Sequence, residues 1–165
     1  MKLSFRLKVR TLTLFFTIFK TQRMVGIVNK VENGGFCPFW DLENCTLNMA
    51  IKTLSEVQKE FHLDTIFVYS DNPTSFRALC YTVVSFHEYL HILLHTQYVD
   101  FGWFRVNVSR EFAILRISDK KKREHQKVVA IIPNGKELEY PYFTNVEYDT
   151  GIDKKVILLA IGEKL

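Results

Sequence analysis

Asp41 and Glu43 stand two residues apart in the stretch Phe39-Trp40-Asp41-Leu42-Glu43, where apolar side chains alternate with carboxylates. Successive side chains of a strand point to opposite faces, so the two acids share one face and Trp40 and Leu42 the other. Paired carboxylates aimed the same way from a rigid element are what a divalent-cation site draws from a protein. An ordinary edge strand with a solvated polar face carries the same pattern, and the pair alone favours that plainer origin. Two further residues add to it: Asp100, in Tyr98-Val99-Asp100, and Arg77, near the start of another apolar run. Each of Asp41, Glu43, Arg77 and Asp100 falls at or beside the end of an expected element. Three carboxylates so placed suit metal-assisted phosphoryl transfer, in which one or two cations bridge a triphosphate and activate a hydroxyl.

Two other clusters compete with this one. His87-Glu88-Tyr89-Leu90-His91 has the HExxH form, which on a helix sets two imidazoles one turn apart for zinc with glutamate as general base. His95 extends the stripe by another turn. A small zinc hydrolase would use this helix, yet zinc needs a third protein ligand, and no Gly-x-x-His extension or glutamate motif follows. The apolar arc Phe86, Tyr89, Leu90, Leu93 and Leu94 lies beside the histidines, so a solvated helix flank accounts for them at no cost. The second cluster is the run Lys120-Lys121-Lys122-Arg123, with Lys127 and the preceding Arg116. Such a run is by default a solvated loop; as a site, Arg116, Lys120 and Lys122 would grip the phosphates of a nucleotide or template. Arg116 stands apart because it lies inside Ala113-Ile114-Leu115-Arg116-Ile117, where a guanidinium needs an anion or solvent.

The elements that must position these residues follow from periodicity. Asn44 or Thr46 can cap a helix whose apolar stripe Leu47, Ala50, Ile51, Leu54, Val57 and Phe61 runs to about residue 62. Thr65–Tyr69 is β-branched and aromatic, hence a strand, ended by Ser70-Asp71-Asn72-Pro73, and Phe76–Val84 reads as its hairpin partner. Phe86–His95 is helical. Trp103–Val108 and Phe112–Ile117 read as two strands joined at Ser109-Arg110-Glu111. Val128–Ile132 is another strand, Tyr140–Tyr148 is loop-like around Pro141, and Lys155–Ile161 is a last strand. Strands outnumber the two principal helices, which predicts an α+β fold with a mainly antiparallel sheet.

A chain of 165 residues suits one domain with a real core, and 47% hydrophobic and 14% aromatic content argues against disorder. The net charge of +4 misleads, because residues 1–23 hold six basic residues and no acid, leaving 16 basic against 18 acidic residues in the remainder. Phosphate contacts must therefore come from local clusters, since the body is not basic overall. Residues 1–23 have three readings, an upstream extension of the reading frame, a basic amphipathic surface segment or an added strand, and the expectation is a single domain over residues 24–165 with that extension outside it. Leu12–Phe19 is too short to span a bilayer as a helix, and no small-residue cleavage site follows it. No membrane association is expected. Cys37, Cys45 and Cys80 form no CxxC pair, and an odd number of thiols suits a reduced, cytoplasmic protein. Oligomeric state is not readable from the chain.

The order of the motifs resembles the catalytic core of archaeo-eukaryotic primases, especially the primase-polymerases of archaeal plasmids and viruses. That family carries an apolar strand with Asp-x-Asp/Glu, matched by Trp40-Asp41-Leu42-Glu43, and later an apolar residue followed by Asp, matched by Val99-Asp100. Its middle small-x-His motif falls at Ser75-Phe76-Arg77, with arginine in the histidine's place. Leu115-Arg116-Ile117-Ser118-Asp119-Lys120 looks like the arginine-bearing strand and basic turn of the plasmid enzymes, so the resemblance covers roughly residues 36–132. It implies an RRM-like core and magnesium or manganese held by Asp41, Glu43 and Asp100. Arg77, Arg116, Lys120 and Lys122 would bind nucleotide. The implied activity is nucleotidyl transfer from nucleoside triphosphates onto single-stranded DNA or a primer-template, in replication of a plasmid, virus or mobile element. Arginine at 77 can hold a triphosphate bidentately, or can pair with an acid of the site and occupy it without chemistry. The latter would leave a nucleic-acid-binding module of the same fold.

Overall fold

The computed structural model describes residues 2–9, 12–19, 22–32, 34–116, 126–135 and 143–150, with side chains over 24–32, 34–70, 72–116 and 126–135. The chain divides into two compact units, one made of Met1–Met24 and Tyr148–Leu165 and the other of Val25–Glu147. In the first, β1 (Lys2–Val9) and β2 (Leu12–Phe19) form an antiparallel hairpin that pairs Lys2 with Phe19 and Val9 with Leu12. Residues 2–9 and 12–19 thus have strand backbone. The alternation Leu3, Phe5, Leu7, Val9 against Lys2, Ser4, Arg6, Lys8 has the two-residue period that strands require.

The chain continues with β3 (Gln22–Val31), β4 (Phe39–Glu43), α1 (Leu47–Glu60), β5 (Ile66–Asn72), β6 (Ser75–Cys80), α2 (Phe86–His95), α3 (Phe101–Arg110), β7 (Ile114–Arg116), β8 (Lys127–Ile132) and β9 (Phe143–Thr150). The fold is α+β with antiparallel sheets, as the periodicities predict. Four strands lie in the order β4-β6-β5-β8, each antiparallel to its neighbour. β4 and β5 are therefore parallel, with β6 between them and α1 as the crossover, a split β-α-β unit. A second sheet has the order β7-β3-β9.

One face of the four-stranded sheet carries Trp40, Leu42, Ile66, Val68, Phe76, Ala78 and Ile132, all buried. Ala50, Leu54 and Val57 from α1 and Tyr89, Ile92 and Leu93 from α2 complete the same cluster. α1 starts where Thr46 caps it, its hydroxyl accepting from the Met49 amide at 3.4 Å. α2 starts likewise at Ser85, which accepts from the Glu88 amide at 3.2 Å. Trp40 is pinned from α2's far end, donating from Nε1 to Thr96 Oγ1 at 3.0 Å.

Three expectations are corrected. Trp103–Val108 is not a strand but lies within α3, which makes three helices rather than two among the described residues. Its apparent alternation (Phe104, Val106 and Val108 against Arg105, Asn107 and Ser109) is outweighed by Asp100, whose carboxylate caps the helix start, and by Asn107, which is buried. The hairpin partner of β5 ends at Cys80, short of Val84, which instead bridges to Phe36. Phe143–Thr150 forms a strand where the aromatic residues around Pro141 suggest a loop. The expected strand Lys155–Ile161 lies outside the described residues. Among the described residues no helix is long and apolar enough to cross a membrane.

Asn29 joins β3 to both flanking segments. Its backbone amide donates to the Ala113 carbonyl and its carbonyl accepts from the Cys37 amide, while its side chain accepts from Ala113 N at 2.7 Å and donates to Cys37 O at 3.2 Å. The residue is completely buried. Asn29→Leu leaves Ala113 N and Cys37 O short of a partner, and urea unfolding should show a loss of about 2 kcal/mol.

Candidate functional site

Asp41 lies on the face of the four-stranded sheet opposite Trp40 and Leu42. The β4–β6 register sets it against Arg77, and the β5–β6 register sets Arg77 against Tyr69, so the three side chains form a row across that face. Arg77 Nε is 4.0 Å from Asp41 Oδ1, an ion pair too long for a hydrogen bond. Asp41 Oδ1 itself is buried with no hydrogen-bond donor. Burial pushes the Asp41 carboxyl up to about 6; Arg77 opposes this, the negative charges of Asp100 and Glu43 add to it, and Arg116 pulls back. The cost of charging Asp41 is therefore chiefly the loss of water around it, only partly offset by Arg77 and Arg116.

Asp100 reaches Asp41 through the backbone. Val99 bridges Leu42, the Glu43 amide donates to the Tyr98 carbonyl at 2.9 Å, and the Asp100 amide donates to the Asp41 carbonyl at 2.8 Å. Tyr98–Asp100 thus lies along the outer edge of β4. Asp100 Oδ1 accepts from the Gly102 and Trp103 amides at 2.6 and 3.1 Å, capping α3. Glu43, at the strand end, is exposed. Glu43 on the same strand and the distant Asp100 thus lie with Asp41 on one sheet edge, Asp41 and Asp100 being 59 positions apart in sequence. Their side chains are less converged than their backbones: among the described residues no three His, Cys, Asp or Glu side chains stand close enough together to hold a metal ion.

Arg116 ends β7, opposite Gly26 of β3, and is buried like Arg77. Gln126 ties the two arginines, its amide oxygen accepting from Arg77 Nη1 and its nitrogen donating to the Arg116 carbonyl at 3.1 Å in the orientation that satisfies both ends. Lys120 and Lys122 lie outside the described residues. Sequence reasoning missed Tyr69 and Gln126. Tyr69 follows from the hairpin register once Arg77 is chosen, whereas nothing local marks Gln126.

The histidine stripe is exposed along α2. His95 Nδ1 meets Glu60 Oε1 at 2.7 Å and its ring packs edge-on against Phe61, while His91 stacks on His95 with centroids 6.2 Å apart. Tyr89, inside the motif, is buried and donates its hydroxyl to the Phe39 carbonyl at 3.1 Å. These contacts bind α2 to α1 and β4, and no third ligand joins His87 and His91 among the described residues. Comparison with protein-family models, with curated proteins and with solved structures finds no match.

Proposed function

We propose that the protein is a metal-dependent nucleotidyltransferase of the primase-polymerase kind, with an RRM-like core, acting on nucleoside triphosphates and single-stranded DNA or a primer-template in replication of a plasmid, virus or mobile element. The observation that carries this reading is the meeting of Asp41, Arg77 and Asp100, three residues far apart in sequence, through strand register and one backbone hydrogen bond. The split β-α-β arrangement supports the RRM-like core, although the fourth strand lies beside β5 and the segment Tyr98–Asp100 holds the edge next to β4.

The donor chemistry is that of magnesium or manganese, although the three carboxylates do not converge on one point among the described residues. All three candidate ligands offer hard carboxylate oxygens, and the buried Asp41 Oδ1 lacks a donor. Asp41, Glu43 and Asp100 would hold the cation, which supplies charge neutralisation on the triphosphate and acidifies the attacking hydroxyl. Arg77 and Arg116 provide permanent positive charge beside Asp41, suited to phosphate oxygens. Lys120 and Lys122, outside the described residues, complete the nucleotide-binding residues of this reading.

Primer extension with manganese or magnesium tests the proposal, comparing wild type with Asp41→Ala and Asp100→Asn. Asparagine caps a helix as well as aspartate does, so Asp100→Asn removes charge and leaves α3 capped. Product from the wild type alone supports the assignment. Absence of any metal-dependent product from the wild type overturns it and leaves a nucleic-acid-binding module of the same fold.

A further inference from the structure

The first two turns of α3 expose an aromatic surface directly after Asp100. Phe101 is 68% exposed and Val108 41% exposed, and with exposed Arg105 they occupy positions i, i+4 and i+7 of one helical face. The Phe104 ring backs Phe101, nearly parallel at 24° with centroids 6.4 Å apart, and the Arg105 guanidinium lies 5.8 Å from the Phe101 centroid. The opposite side of α3 is anchored: Trp103 Nε1 donates to the Ile114 carbonyl at 3.4 Å, and Asn107 is buried near the Tyr89 hydroxyl. The helix therefore holds Phe101 outward on a fixed base.

The charge on this helix selects among occupants. Between its acidic caps Asp100 and Glu111, Phe101–Arg110 contains two arginines and no acid, and Arg105 is the one beside the exposed ring. A flat aromatic ring with a guanidinium beside it offers one surface for a π-face and one for an anion, which is the pairing single-stranded nucleic acids present at every nucleotide. Resting on the nucleotidyltransferase reading, we propose that Phe101 and Arg105 form a platform for single-stranded nucleic acid, Phe101 stacking a base and Arg105 holding an adjoining phosphate. Because Asp100 both caps this helix and bonds to the Asp41 backbone, the platform leads the strand to the carboxylates.

The test is fluorescence anisotropy with a fluorescein-labelled oligothymidylate of 20 nucleotides at low salt, without metal or triphosphate. Phe101→Ala should weaken binding about ten-fold or more, Phe101→Trp should restore it, and Arg105→Met should weaken it and lower the slope of log affinity against log salt by about one. Phe101 is exposed, so Phe101→Ala should melt with the wild type, which keeps a folding defect from imitating the result. Unchanged binding by Phe101→Ala, or no binding by the wild type, overturns the platform. A change in oligomeric state of Phe101→Ala on gel filtration also overturns it, by making this face a protein interface. The assay contains nothing that turnover needs, so Phe101-dependent binding without primer extension would remove the enzyme and keep the platform, and the reverse pattern would do the opposite.

Discussion

Asp41→Asn is expected to silence metal-dependent nucleotidyl transfer while making the fold more stable at pH 8. If Asp41 holds the cation as proposed, its loss would remove several kcal/mol of charge stabilisation in the transition state, roughly a thousand-fold in rate. The stability change has the opposite sign because Asp41 is charged where charge is poorly supported. Its carboxyl, near 3.8 when free, is raised to about 6 in the fold, chiefly by burial. Between those values the folded state holds the proton more tightly than the unfolded chain, so wild-type stability falls as pH rises from about 4 to about 6 and stays low above. Allowing for partial solvent screening of Asp41, the loss is about 2 kcal/mol. Asp41→Asn should recover that amount at pH 8 and flatten the slope between pH 4 and 6, read from urea midpoints at several pH values. A structural Asp41–Arg77 ion pair predicts the contrary, destabilisation by Asp41→Asn at pH 8. The two outcomes separate a site that costs stability from a bridge that supplies it.

Trp40→Ala should destabilise the protein by about 4 kcal/mol, enough to unfold a marginally stable domain. Trp40 is fully buried at the centre of the core, and its indole joins β4 to the end of α2 through Thr96. Trp40→Phe keeps most of the volume and loses the hydrogen bond, so it should cost about 1.5 kcal/mol. Chemical denaturation ranks the two variants. Since Trp40 and Asp41 are consecutive on β4, a loosened core face also releases the carboxylate from its register with Arg77. The proposed activity should therefore fall in Trp40→Ala at temperatures below its own unfolding transition.

Much of the fold was legible in local patterns. Phe39–Glu43, the helix from Leu47, the strand through Tyr69 and the helix Phe86–His95 all appear where alternation, apolar spacing and capping residues indicate. Each is governed by contacts within a few residues, which is why the chain announces them. α3 was not legible as a helix because its apolar residues alternate, and the determining features, a capping carboxylate on Asp100 and a buried Asn107, depend on what surrounds them. β9 was hidden because a strand's hydrogen bonds are made with distant chain, and nothing near Pro141 reveals the partner.

The same division runs through the candidate site. The residue types, their order and the shared face of Asp41 and Glu43 were set by the chain itself, because a strand's alternation is a property of its own backbone. That Asp41 faces Arg77, that Asp100 docks on Asp41 while capping a helix, and that Gln126 ties Arg77 to Arg116 came only from tertiary structure. Register and burial are relations between segments tens of residues apart. They decide how much charge a carboxylate can bear, and no local pattern encodes them.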